Sequence, residues 1–131
     1  MNQQHNAYLD ASVLTASPAR LLVMLCDRLV LDLTRGLDAQ RRGDLGTAHR
    51  ELLHAQEIVL ELRSSLRTDD WEGGPGLASL YDFLHLELVR ANVTKDAGVT
   101  EGCLGLVTDL AATWRQAAMQ TVAQTTTAQA V

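Results

Sequence analysis

Between Leu45 and Leu66 the apolar positions recur at steps of three and four: Leu45, Ala48, Leu52, Ala55, Val59, Leu62 and Leu66. A helix gathers these on one stripe, whereas a strand would scatter them over both faces. Asp44 stands where an N-cap belongs, and Gly43 breaks whatever precedes it. At ~1.5 Å per residue the helix is roughly 33 Å long, the span of a small domain. Leu53, Ile58 and Leu60 fall outside the stripe. A helix apolar on more than one face must meet more than one neighbour, so the other segments are expected to pack around this one.

The same periodicity predicts three further helices. The first runs from Pro18 to about Arg42, with Ser17 as cap and Pro18 at the first position, where a missing N–H is tolerated. Its stripe is Leu22, Cys26, Leu29, Leu33 and Leu37, widened by Leu21, Met24, Leu25 and Leu31. After the Leu45 helix comes a loop, TDDWEGGPG, at 68–76, where Gly and Pro exclude regular structure. A third helix is expected from about Leu77 to Val93, striped by Leu77, Leu80, Leu84, Leu88 and Ala91. A fourth follows from Val99 or Thr100 to Thr121, striped by Cys103, Leu106, Leu110, Trp114 and Ala117. Short links make sequential helices antiparallel. The expected fold is therefore all-α, an antiparallel up-down four-helix bundle over 17–121. Residues 1–16 read as a mobile N-terminal arm and 122–131 as a disordered tail.

Composition narrows the function. The chain has 131 residues, enough for one domain with a real core. The formal net charge is −5, which argues against electrostatic binding to nucleic acid. The longest apolar run, Leu21 to Cys26, is too short for membrane insertion. The first residues, MNQQHNAY, do not form a signal peptide. Cys26 and Cys103 lie in apolar stretches and read as buried thiols of a reducing compartment.

Candidate chemistry is sparse. Glu51-Leu52-Leu53-His54 is one Glu-x-x-His pair, but a di-iron bundle needs a second pair and two further inward carboxylates. The first helix holds no Glu, so neither a metal nor any other cofactor is expected. No phosphate loop or nucleophile elbow is present, and the reading is not an enzyme. Trp71-Glu72-Gly73 between two helices resembles the turn of small secreted helical hairpins of the WXG100 class, which is the alternative reading. The more informative feature is surplus apolar surface on the first and third helices. It exceeds what a bundle core requires and is suited to receive a partner's apolar segment.

Several segments together resemble the flagellar export chaperone family FliS. Tyr8 followed by Thr15-Ala16-Ser17-Pro18-Ala19-Arg20-Leu21-Leu22-Val23-Met24-Leu25-Cys26-Asp27 is similar to the start of that family. His54-Ala55-Gln56-Glu57-Ile58-Val59-Leu60-Glu61-Leu62 is similar to its Arg-Ala-Gln-x-Ile-Ile-x-x-Leu segment. Leu80-Tyr81-Asp82-Phe83, Arg90-Ala91-Asn92 and Asp96 resemble its third long helix, and Trp114 falls where the family has a Trp. The chain departs from the family pattern where Cys26 replaces Tyr, Arg28 replaces Gly and His54 replaces Arg. Trp71 and Pro75 are also outside that pattern.

The resemblance implies a cytoplasmic, non-enzymatic bundle that binds the disordered C-terminal segment of flagellin. It would prevent premature polymerisation and aid flagellar type III export, with the arm covering part of the apolar surface. The export apparatus or a co-chaperone are further candidate partners, and the chain is expected to be a monomer or a weak homodimer. Leu21, Met24, Leu25, Ile58, Leu62, Tyr81 and Leu84 are the expected apolar contacts. Gln56 and Asn92 are expected to hold partner backbone through their amides, and Tyr8 to anchor the arm.

Overall fold

A computed structural model describes residues 17–130, with side chains described as far as Gln120. Four helices follow in order: α1 (Pro18–Arg42), α2 (Leu45–Ser65), α3 (Gly74–Thr94) and α4 (Ala97–Ala130). Each packs on its neighbours in the chain, and α1 also packs on α4, which closes the ring. Cross-links fix the antiparallel sense. Arg41 and Asp27 of α1 pair with Glu101 and Arg115 of α4, and Arg63 of α2 pairs with Asp82 of α3. The expected up-down four-helix bundle is the observed one. The arm at 1–16, with Tyr8, lies outside the described residues.

The helix boundaries follow from local chemistry. Ser17 Oγ accepts from the Arg20 N–H at 3.2 Å, and α1 ends on Gly43 at φ 76°, a left-handed turn that glycine adopts without strain. The Asp44 carboxylate accepts from the Thr47 N–H at 3.2 Å, and its hydrogen bonds to Thr47 hold its pKa below the usual value. α3 begins at Gly74, not Leu77, because Pro75 in a first turn removes no needed donor. Gly74 is required by space, since a Cβ there would lie 2.6 Å from the Thr68 carbonyl oxygen. The last helix starts at Ala97, with Asp96 Oδ1 accepting from the Gly98 and Val99 N–H groups. Its backbone continues to Ala130, through the segment expected as a tail, where no Pro or Gly interrupts it.

The core is close to the predicted stripes, with two rotations. Cys26, Leu29, Leu33 and Leu37 of α1 and Ala48, Leu52, Ala55, Val59 and Leu62 of α2 are buried as expected. Of the residues beside the α2 stripe, Ile58 is buried while Leu53 and Leu60 remain exposed. In α3 the buried line passes through Ala78 and Tyr81 where Leu77 and Leu80 were expected. In α4 it passes through Val107 and Ala111, leaving Leu106, Leu110 and Trp114 half-buried.

Two polar groups sit inside this apolar frame. Gln40 donates to the Ala91 carbonyl of α3 at 3.2 Å and accepts from the buried Thr100 hydroxyl of α4 at 2.7 Å. One side chain thus ties three helices at one end of the bundle. Asp32 of α1 is fully buried and is held by Arg28 Nε at 3.0 Å and by His54 Nδ1 of α2. His54, read from sequence against a metal site, is therefore engaged by a carboxylate. Among the described residues no group of three His, Cys, Asp or Glu is placed to hold a metal ion.

Gln40→Ala leaves the Thr100 hydroxyl without its Gln40 acceptor and removes the donor to the Ala91 carbonyl. It is expected to cost about 1–3 kcal/mol in urea unfolding, with the helix content of the folded state unchanged.

Candidate functional site

The ends of the bundle differ. At the Gln40 end the helices are joined by hydrogen bonds. At the other end α2 stops at Ser65, the chain crosses to α3 through the loop 66–73, and the helices leave an open groove of about 750 Å³. Pro18, Leu21 and Leu25 of α1 form one wall. Leu62 of α2 and Leu77 and Tyr81 of α3 form another, with Trp114 of α4 beside them. Trp71 of the loop stands at the mouth, together with Arg67, Asp70 and Glu61. The walls are apolar and the charges lie at the rim.

Local sequence explains the position of Trp71. The Gly74 N–H donates to the Trp71 carbonyl at 3.2 Å, which closes the turn. The indole then lies over Gly73, where a Cβ would approach it to 2.1 Å. The side chain remains 48% exposed.

Tyr81 is fully buried in the core beneath the groove that it helps to line. Burial pushes its phenol up to about 12, the neighbouring Cys26 adding in the same direction and Trp114 opposing. The Trp114 indole thus lies near the Tyr81 hydroxyl, yet its solvent-shielded Nε1–H has no acceptor at hydrogen-bonding geometry. Burial likewise raises the Cys26 and Cys103 thiols to about 11. Both stay protonated and poorly nucleophilic at neutral pH.

The expected contact residues divide into groups. Leu21, Leu25, Leu62 and Tyr81 come together in the groove. Met24 is 48% exposed on α1, outside the groove lining. Ile58 and Leu84 belong to the buried core. Gln56 is half-buried on α2. Asn92 lies towards the other end of the bundle, where its amide meets the His49 ring at 3.1 Å. Pro18, Leu66, Leu77, Trp71 and Trp114 were not expected in the site. A second apolar strip, Phe83 and Leu86, faces outward from α3. Among the described residues no helix is long and apolar enough to cross a membrane.

Comparison with known proteins identifies the family and the fold. The family described as flagellar protein FliS matches residues 1–121. The chain is 31% identical over 113 residues to the flagellar secretion chaperone FliS of Bacillus subtilis (strain 168), covering 86% of this chain and 84% of the relative. It is 31% identical over 112 residues to the flagellar secretion chaperone FliS of Salmonella typhimurium, covering 82% of each. The fold is similar to a solved structure described as a flagellar chaperone from bacteria, with a TM-score of 0.73 at 18% identity. That match covers 90% of this chain and 97% of the other. The two-helix hairpin reading of Trp71-Glu72-Gly73 is set aside, since the tripeptide lies in a loop of a four-helix bundle.

Leu84→Ala, in the core, is expected to cost about 2–5 kcal/mol of stability, and Met24→Ala to stay within about 0.5 kcal/mol; chemical denaturation checks both. Alkylation by iodoacetamide at pH 8 is expected to leave both cysteines unmodified in the folded protein and to modify both in urea.

Proposed function

Because the chain belongs to the flagellar protein FliS family, we propose that it is a flagellin export chaperone that holds the disordered C-terminal segment of its client. The observation that carries this reading is the open apolar groove between α1, α2 and α3. A segment that folds on contact accepts an ordering cost and still engages a large surface. Each ~100 Å² of apolar area covered contributes about 2.5 kcal/mol before that cost. Leu21, Leu25, Leu62 and Tyr81 supply the groove contacts, and Phe83 and Leu86 extend the apolar surface for a client that wraps the bundle.

In this reading the chaperone acts in the cytoplasm without a catalytic step. Occupying the client's terminal segment blocks polymerisation until the export apparatus receives it. The residues before Pro18, including Tyr8, compete for the groove when the client is absent. Gln56, half-buried midway along α2, receives client backbone. Asn92 does so only by exchanging its contact with His49.

Titration calorimetry of the full chain with the C-terminal segment of flagellin from the same cell is expected to give near one-to-one binding with a negative heat-capacity change. Leu21→Asp is expected to weaken binding by about tenfold or more, roughly 1.4 kcal/mol, while the far-ultraviolet helix signal is retained. No binding at tens of micromolar by the unmodified chain would overturn the reading.

A further inference from the structure

Of the exposed large hydrophobic side chains among the described residues, Trp71 alone lines the groove. Local features hold it there. The Gly74 N–H donates to the Trp71 carbonyl, and Gly74 lies against the Thr68 backbone, where a Cβ would not fit. Arg67 and Asp70 pair at 3.8 Å just before the ring. The indole lies against Gly73, where a Cβ would come within 2.7 Å of Cε3 and Cη2 and closer still to Cζ3. Gly73 has φ −77° and ψ −10°, a conformation open to any residue. The backbone at 73 therefore does not require glycine, whereas the ring does. A large apolar ring kept half in water and in one place is pre-organised for a contact that the free chain does not make. Indole side chains are also over-represented among those that dominate binding. At the same end of the groove Leu66 and Leu77 are apolar lining as well.

We propose that Trp71 is a specificity-determining contact, whose indole covers an aliphatic side chain of the bound flagellin segment at the mouth of the groove. Gly73 is then a positioning residue, which leaves the room that the ring needs. This rests on the reading that the segment occupies the groove, and it names the residue that closes over it. An aliphatic side chain lodged between the ring and the leucine walls loses water on both sides. A carboxylate in that place would lose its hydration against an apolar wall and face the negative π-surface of the ring. The helices thus supply the depth of the groove, and the loop selects which residue of the segment stops at its mouth.

Calorimetric titration of the full chain with the flagellin C-terminal segment tests this through a double-mutant cycle. Trp71→Ala is expected to weaken binding about tenfold, with the far-ultraviolet helix signal and the cooperative thermal transition of the free chain retained. Gly73→Ala, which keeps the indole but displaces it, is expected to weaken binding severalfold in the unmodified background and to add no loss in the Trp71→Ala background, because it acts through the ring. A merely structural role for Gly73 would give the same loss in both backgrounds. Alanine replacement along the segment is expected to lose its effect in the Trp71→Ala chain at one aliphatic position, the one beneath the ring. Unchanged affinity of Trp71→Ala would overturn the proposal while leaving the groove reading intact. So would tighter binding, which would make the ring a cover of the empty groove, and so would coupling to a charged residue of the segment in place of an aliphatic one. Failure of the unmodified chain to bind the segment would remove the groove reading and this inference together.

Discussion

Gln40 sits where α1, α3 and α4 come closest to sharing one side chain, and much of the molecule's asymmetry follows from it. Its amide satisfies a carbonyl of α3 and a buried hydroxyl of α4 at once. Hydrogen bonds of this kind have directional requirements that apolar packing lacks. They hold that end of the bundle in one arrangement. The opposite end is cross-linked by the exposed pairs Arg63–Asp82 and Arg115–Asp27, which lie outside the groove lining, and the groove walls are leucine, tyrosine and tryptophan. Apolar contact is non-directional, so that end can admit another chain without breaking a specific bond. A closed polar end and an open apolar end together make a bundle that stays folded while part of its core surface remains available.

The buried Asp32 is the one charged group inside the described core. Its two partners are Arg28 of its own helix and His54 of α2. A carboxylate inside a core is stabilised only while its partners remain, so the three residues act together, joining α1 to α2 midway between the tied end and the groove. The pair also uses the ring that would otherwise make the Glu51-x-x-His54 spacing look like a ligand set.

Most of the architecture was legible in the sequence because it depends on periodicity and caps. Ser17-Pro18, Gly43 and Asp44 marked boundaries that the structure reproduces. Periodicity was less informative where nearly every position is apolar. In α3 it could not choose between Leu77-Leu80 and Ala78-Tyr81; the structure buries Ala78 and Tyr81 and leaves Leu77 and Leu80 half-buried. Leu21 and Leu25 were legible as surplus apolar positions, since they exceed what one stripe can bury, and both line the groove. Trp71 could not be found by any helical pattern, because it reaches the groove from a loop. Its signal was the Gly73-Gly74 pair, which leaves room for a ring and for the crossing backbone. Asp32 was visible in principle as the charge among Leu29, Leu33 and Gly36 on the buried face.

The loop carrying Trp71 is the longest of the connections between the described helices, and it forms a wall of the groove while contributing little to the core. Loops of this kind accept substitutions and insertions at low thermodynamic cost. The helices that determine whether the protein folds are therefore largely separate from the residues that shape the mouth of the site. On the proposed reading, a lineage whose client drifts in sequence can follow that drift by altering the loop. In evolutionary terms, the bundle can remain under purifying selection while recognition diversifies beside it.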